Sequence, residues 1–126
     1  MTLTTRPWGH FEILCTGKDY QLKRLYVKPY HQLSLQSHTK RDEVWTVVSG
    51  TGFCLIDDNV IQLSFGTRVT VKKNQKHRLG ARDLPLVIIE LQLGDYDEDD
   101  IVRYVDDYGR INSGQIKQPH ISGSAV

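Results

Sequence analysis

Three polar side chains of types that commonly bind metal ions lie close together in this sequence. Gln36 and His38 are two residues apart in an alternating stretch, and Glu43 follows a short charged segment. Side chains two residues apart on a β-strand point to the same face, so the amide and the imidazole are aimed in one direction. Cations such as Zn²⁺, Mn²⁺ and Fe²⁺ take nitrogen and oxygen ligands of these kinds. The three residues therefore predict part of a divalent metal site, whose fourth ligand would come from elsewhere in the chain.

Short strands separated by tight turns must position these ligands. The two that carry them are predicted over residues 32–38 and 44–49, and others over residues 11–15, 20–27, 51–57, 60–63, 68–71, 77–81 and 86–93. Residues 101–105 are predicted to form a short helix or strand. This pattern is typical of a small β-barrel or sandwich. We predict one all-β domain over residues 1–110 with a loose N-terminal arm at residues 1–5, followed by a flexible polar tail over residues 111–126.

Composition excludes several other classes of protein. The chain has 126 residues, 16 basic and 15 acidic, for a net charge of +1, so it lacks the basic excess of a nucleic-acid-binding domain. No apolar run approaches the roughly 18 residues that a membrane-spanning helix needs. The N-terminus lacks the apolar stretch of a signal peptide. Cys15 and Cys54 are predicted to be buried free thiols, which favours a cytoplasmic location.

Two segments of the chain resemble the paired motifs of the cupin superfamily. The first motif is His-x-His followed by Glu, and this chain has Gln36-Ser37-His38 and Glu43. The second runs from a glycine to a histidine, which correspond to Gly66 and His77. The resemblance therefore implies a cupin fold and makes His77 the fourth ligand. Lys72 and Asn74 replace the usual proline and glycine of the turn before His77, and asparagine is the residue that best replaces glycine at positive φ.

A closer resemblance is to the C-terminal type II mannose-6-phosphate isomerase domain of bifunctional mannose-1-phosphate guanylyltransferase/mannose-6-phosphate isomerase enzymes. It covers roughly residues 6–110. The segments that carry it are Leu-Ser-Leu-Gln-Ser-His at residues 33–38, Arg-Pro-Trp-Gly at residues 6–9, and the stretches at residues 99–103 and 106–110. It implies that zinc is the metal of first choice, with manganese, cobalt or iron as alternatives. It also implies that the substrate is a phosphosugar, mannose 6-phosphate or fructose 6-phosphate.

The resemblance assigns roles to residues outside the metal site. Isomerisation moves a proton between C1 and C2 through an enediol, which needs a general base. Glu90 and Lys76 are the candidate bases. Arg103 and Arg110 are expected to bind the phosphate, because a guanidinium donates two hydrogen bonds at once. Arg103 is the first choice, and Ser34 is a further candidate contact.

Less specific interpretations stay open at this point. A lone histidine–glutamate pair in a β protein is usually structural, and isolated arginines such as Arg41 and Arg78 are usually surface residues. The fold could also be a non-catalytic sugar-binding or interaction cupin, or a metallocupin with another reaction, such as an oxygenase or a different sugar isomerase. Lys72 and Asn74, which replace the usual proline and glycine of the second motif, keep these alternatives open.

A homodimer is predicted from the faces of the two ligand-bearing strands. The residues expected to face away from the metal are largely apolar: Leu33, Leu35, Val44, Thr46 and Val48. No long amphipathic helix is available in the sequence to cover them. A second copy of the chain is the simplest cover.

Overall fold

Alternating sequence patterns run through most of this chain, and in the computed structural model they form two antiparallel sheets. The structure describes residues 2–110. The strands are β1 (Leu3–Arg6), β2 (Gly9–Gly17), β3 (Tyr20–Val27), β4 (Leu35–Ser37), β5 (Arg41–Ser49), β6 (Gly52–Ile56), β7 (Asn59–Leu63), β8 (Arg68–Val71), β9 (His77–Ala81), β10 (Leu86–Gly94) and β11 (Val102–Val105). The larger sheet has the strand order β1-β2-β3-β10-β5-β8, and the smaller one the order β11-β4-β9-β6-β7. The prediction of an all-β fold is confirmed.

Strand β10 lies at the centre of the larger sheet, as its near-continuous apolar sequence predicts. It pairs with β3 on one side and β5 on the other. Its inward-facing residues change character along the strand. Leu86 and Ile88 are fully buried, whereas Glu90 and Gln92 continue the same face with polar groups.

On the neighbouring strands β3 and β5, the inward-facing residues also change, from apolar ones at the positions beside Ile88 to ones with a polar group at the positions beside Glu90. Register places Leu25 and Val47 beside Ile88, and Lys23 and Trp45 beside Glu90. The space between the sheets therefore has an apolar end, which is the hydrophobic core, and a polar end. Strand β4 ends at the polar end and strands β5 and β9 begin there, so the candidate site lies at this end.

The N-terminal segment differs from its prediction. Residues 3–6 form β1 and pair with β2, from Leu3 opposite Glu12 to Arg6 opposite Gly9. The prediction of a loose arm is therefore wrong for residues 3–5. The predicted flexible tail, residues 111–126, lies outside the described residues.

The strand predicted over residues 32–38 is also shorter than expected. Only Leu35–Ser37 is a regular strand, and Gln32 makes an isolated bridge to Gly80. Leu33 donates its backbone N–H to the carbonyl of Leu79 and packs against the core. The prediction that Leu33 faces outward is therefore wrong, because strict alternation does not extend to it.

Three smaller predictions have clear outcomes. Residues 102–105 form a strand, not a helix. Asn74 has a φ of 68°, as its place in the glycine position of the turn predicts. Both cysteines are free, but Cys15 is exposed and only Cys54 is buried. Within residues 2–110, no helix is long and apolar enough to cross a membrane.

Candidate metal centre and cavity

Two histidines and a glutamate converge between the sheets. His38 precedes β5, Glu43 lies on β5 and His77 begins β9, and all three are buried. His38 Nε2 lies 3.3 Å from Glu43 Oε2, and His77 Nε2 lies 3.8 Å from Glu43 Oε1. One ligand atom from each residue lies within 4.8 Å of the other two. Ligands about 2.0–2.1 Å from a tetrahedral ion are about 3.3 Å apart, so a modest contraction would let the three residues share one cation.

Both histidines are held so that the same ring nitrogen faces the centre. His38 Nδ1 lies 2.6 Å from the carbonyl oxygen of Asp100, and His77 Nδ1 lies 3.0 Å from that of Gln75. A carbonyl only accepts, so each Nδ1 carries the proton and each Nε2 is unprotonated, with a lone pair directed at the centre. This arrangement is typical of metal-binding histidines, whose second nitrogen is fixed by a backbone or carboxylate partner.

The protonation states of His38 and Glu43 also suit a cation. Burial lowers the pKa of His38 to about 4, against the opposing effect of Glu43. Burial alone would raise the pKa of Glu43, but its interactions with His77, His38 and Arg41 together lower it to about 2. A neutral imidazole and an ionised carboxylate are the forms in which these side chains bind metals.

Gln36 reaches the same region from β4. It is in register opposite His77, and it lines the same cavity. Its amide nitrogen donates to the hydroxyl of Ser34 at 3.2 Å. Because the nitrogen is held there, the amide oxygen is the atom that Gln36 would present to a cation.

The guanidinium of Arg41 contacts two of the candidate ligands. Its Nε donates to Glu43 Oε2 at 2.9 Å, and its Nη2 lies 3.2 Å from His38 Nε2. Its Nη1 donates to the carbonyl of Asp97 at 3.2 Å. The buried charge of Glu43 is thus balanced by a side chain of the same strand. Arg41 would have to withdraw from His38 Nε2 for that atom to bind a metal.

A cavity of about 720 Å³ opens beside these residues. Its wall includes a buried network in which Trp45 Nε1 donates to Glu43 Oε1 at 3.1 Å and to Glu90 Oε2 at 3.2 Å. Gln92 donates to Glu90 Oε1 at 3.0 Å and accepts from Gln21 at 3.2 Å. Burial and the neighbouring charge of Glu43 raise the pKa of Glu90 to about 8. The cavity therefore holds a buried carboxyl group that can gain or lose a proton near neutral pH.

One loop closes the cavity and fixes His38. The loop of residues 95–101 joins β10 to β11, and its Asp100 carboxylate accepts from the backbone N–H groups of Thr39 and Lys40 at 3.1 and 2.9 Å. The Thr39 hydroxyl adds a third bond at 2.8 Å. The same residue supplies the carbonyl that holds His38. Asp100 therefore fastens the loop to the segment between His38 and β5.

A family model described as "Mannose-6-phosphate isomerase C-terminal" matches residues 2–107, which include every residue of the site just described. The chain belongs to this family. Xanthan biosynthesis protein XanB of Xanthomonas campestris pv. campestris (strain B100) is 45% identical over 107 residues, which are 83% of this chain and 23% of that protein. Mannose-1-phosphate guanylyltransferase of Escherichia coli (strain K12) is 40% identical over 108 residues, 84% of this chain and 23% of that protein. The chain thus spans about a quarter of the length of these relatives.

The fold is that of cupins. The solved structure of Rru_A2000 from Rhodospirillum rubrum, described as a cupin-2 domain, superposes with a TM-score of 0.64 at 20% identity. The match covers 72% of this chain and 67% of that one. The predicted cupin fold and the predicted resemblance to the isomerase domain are both confirmed.

Most of the residues predicted to contact the substrate or to act as the base line the cavity. Ser34, Glu90, Arg103 and Arg110 all line it. The Nε of Arg103 is buried and has no hydrogen-bond partner among the described residues. Arg110 is already paired, because its Nε and Nη2 donate to the Asp106 carboxylate at 2.9 and 3.0 Å. Of the two arginines, Arg103 is the one with a buried N–H that has no partner within residues 2–110.

Lys76, the other candidate base, does not reach the cavity. It is exposed, and its ammonium lies 4.4 Å from the ring centroid of Tyr104. His77 faces inward, so the residue before it faces the other way. Lys76 therefore does not line the cavity, and Glu90 is the candidate base that does.

Sequence reasoning missed several residues of the site. Arg41 and Arg78 were expected at the surface, but both are buried. Arg78 lies on β9 and donates to the carbonyls of Leu33 and Val105, so it joins β9 to the segment before β4 and to β11 within the smaller sheet. Arg41 lies two residues before Glu43 on the same strand, so the alternation of side chains would have predicted that Arg41 faces the same side as Glu43. Lys23 and Glu98 also line the cavity, and their ion pair joins positions 75 residues apart.

Proposed function

We propose that this domain is a metal-dependent aldose–ketose isomerase that interconverts mannose 6-phosphate and fructose 6-phosphate through an enediol. The observation that carries the proposal is the buried cluster of His38, Glu43 and His77 beside a cavity. That cavity also holds Glu90 and an Arg103 N–H that has no partner within residues 2–110. Membership of the isomerase family supports the choice of substrate.

The proposed roles follow from position and chemistry. Gln36, His38, Glu43 and His77 bind one divalent cation, which when bound would polarise the carbonyl and hydroxyl oxygens at C1 and C2. Zinc is the proposed ion, because the donor set is nitrogen and oxygen with two imidazoles.

Glu90 is the proposed base that carries the proton between C1 and C2. A general base works best when its pKa lies near the working pH, and burial brings the pKa of Glu90 to about 8. The bond from the Trp45 indole fixes the direction of the Glu90 carboxyl group. Arg103 and Ser34 are proposed to bind the phosphate group, and Arg110 stays a further candidate.

The proposal also covers the assembly, the location and the domain division of the protein. A homodimer is proposed from the outward apolar face of the larger sheet. A cytoplasmic location is proposed from the two free cysteines. Residues 1–110 are proposed as one domain, with residues 111–126 as a flexible tail.

A non-catalytic sugar-binding module is the second candidate function. It is favoured by Arg41, whose guanidinium already supplies a positive charge to Glu43 and a donor to His38. In that case the cavity would bind a sugar phosphate without a metal and without turnover.

The test is a coupled assay of mannose 6-phosphate turnover, with elemental analysis of protein purified without a histidine tag. We expect about one divalent ion per chain in the wild type. The double variant His38→Ala/His77→Ala should lose the ion and lower kcat by two orders of magnitude or more, on the scale of about 10² for a lost catalytic group. Glu90→Gln should keep the ion and lower kcat by about 10²–10⁴.

The two candidate functions give different results. Tight binding of mannose 6-phosphate with no turnover under any of Zn²⁺, Mn²⁺ or Co²⁺ would favour the sugar-binding module. A double variant that held as much metal as the wild type would show that the ligand assignment is wrong.

A further inference from the structure

Lys23 is a buried cation inside the cavity. Its side chain is 4% exposed, on the inner face of β3. The ammonium lies 4.1 Å from the ring centroid of Phe11, which favours a positive charge at that point. A buried ammonium needs a negative partner. The partner comes from the loop that closes the cavity, because Glu98 Oε2 lies 2.7 Å from Lys23 Nζ.

Glu98 does not belong to the same buried environment. Its side chain is 50% exposed, and its other carboxylate oxygen lies 3.8 Å from Nη2 of Arg6, which is also partly exposed. Lys23, Arg6 and Glu98 all line the cavity. The carboxylate therefore lies between two cations, at the border between the cavity and solvent.

The loop is fastened on both sides of Glu98 without the help of the Glu98 side chain. Before it, the Asp97 carbonyl accepts from Arg41 at 3.2 Å. After it, Asp100 accepts from the backbone of Thr39 and Lys40. The Glu98 side chain can therefore turn towards solvent while the loop backbone stays in place.

We propose that Lys23 and Arg6, together with the unpaired N–H of Arg103, form the binding site for the phosphate of the substrate, and that the Glu98 carboxylate occupies this site until a phosphate replaces it. The proposal rests on the function proposed above. A phosphate monoester carries about 1.5–2 negative charges near neutral pH, so it matches the two cations better than one carboxylate does. Two anions cannot share the position, because like charges at contact distance repel. The ligand must therefore displace Glu98.

Removing the charge of Glu98 and removing the charge of Lys23 should have opposite effects on the affinity for phosphate. Glu98→Gln keeps the size of the side chain and removes the competing charge, so inorganic phosphate and mannose 6-phosphate should bind about two- to fivefold more tightly. Lys23→Met replaces the ammonium by an apolar chain of similar length, which a buried position accepts, and should weaken both ligands by about tenfold or more. Unphosphorylated mannose should bind all variants equally.

An ion pair on the outer face of the same hairpin gives matched controls. Arg24 follows Lys23 on β3 but faces outward, where its Nη1 lies 3.4 Å from Glu12 Oε1. Glu12→Gln and Arg24→Met make the same chemical changes outside the cavity, so phosphate affinity should stay at the wild-type value.

The measurement is isothermal titration calorimetry of the full chain with inorganic phosphate and with mannose 6-phosphate, beside elemental analysis. Because the readout is binding, it separates this proposal from the isomerase proposal. If the predicted affinity changes occur but no variant or wild type turns over mannose 6-phosphate, the phosphate site stands and the isomerase function fails. If the wild type is an active isomerase, but either Glu98→Gln or Lys23→Met leaves phosphate affinity unchanged, this proposal is overturned and the isomerase function stands.

Discussion

Glu90 is a carboxyl group buried next to another carboxyl group, and this determines how its charge responds to pH. Burial is the main cause that raises its pKa to about 8, and the charge of Glu43 adds to it. In the unfolded chain the pKa of Glu90 would return to about 4.5. The folded protein therefore holds a proton that the unfolded chain releases, and folding becomes less favourable as pH rises through this window.

Glu90→Gln should remove this pH dependence. Glutamine resembles the protonated acid, so below about pH 4.5 the difference in stability between variant and wild type should be constant. From there to about pH 8 the wild type should lose stability relative to the variant, and the difference should level off above that pH. We expect the gap in Tm to grow by at least about 4 °C. Thermal unfolding of metal-free protein in chelator-containing buffers checks this, and a gap that is constant from pH 5 to pH 9 would contradict it.

Sequence patterns predict which face a residue lies on better than they predict its charge partners. The alternation of side chains along the strands predicted that His38 and Glu43 face inward, and both are buried. The apolar run around Glu90 predicted that this residue is buried, and it is. The pairing of Lys23 with Glu98 depends on a loop 75 residues away in sequence, and no local pattern encodes that contact.

The loop of residues 95–101 is the element on which the geometry of His38 depends. Asp100 both fastens the loop to Thr39 and Lys40 and holds the Nδ1 of His38 through its carbonyl. The sequence indicated an acidic loop there, but not that the loop would return to the segment that carries His38. That return follows from the pairing of β11 with β4, which lie far apart in sequence.

Asp100→Ala should loosen the loop and let the His38 ring turn. Loss of a residue that orients a metal ligand typically weakens metal binding by about 10–100-fold. We therefore expect zinc affinity to fall by at least about tenfold, measured by competition with a chromophoric chelator. Asp95→Ala, in the same loop but bonded to the backbone of Asp97, should leave zinc affinity unchanged. Equal zinc affinities for Asp100→Ala and wild type would show that the loop does not position His38.

The irregular segment of residues 32–34 shows why strand limits were harder to predict than strand existence. Arg78 donates to the Leu33 carbonyl at 2.8 Å, and Gln32 bridges to Gly80. These contacts from β9 replace regular pairing there. Leu33 consequently turns into the core, although its alternation with Ser34 and Leu35 looks like that of an ordinary strand.

The outer face of the larger sheet bears on whether the protein forms a dimer. Leu91 at its centre is in register with Leu22 on β3 and with Val44 on β5. The outward side chains of β5 that carried the dimer prediction are half-buried or exposed, and Val48 is 39% exposed. An apolar band across three strands with no cover from the described chain fits a second copy of the protein.

Leu91→Lys should convert a dimer to a monomer, because it places a charge in the middle of this band. Light scattering of the wild type at micromolar concentration should give twice the 14.5 kDa mass of the chain, and the variant should give 14.5 kDa. Val60→Lys is the control, since Val60 is 60% exposed on the other sheet and should not affect assembly. A wild-type mass of 14.5 kDa would rule out the dimer.

In the proposed metal site, Arg41 balances the charge of Glu43 before any ion binds. Its guanidinium contacts Glu43 and His38, so the buried cluster already contains a positive charge. On this proposal the chain would fold without the ion and would stay folded when the ion is lost. On the proposed function, loading becomes an exchange of one cation for another, so activity would follow the supply of metal in the cell while the amount of folded protein stays constant.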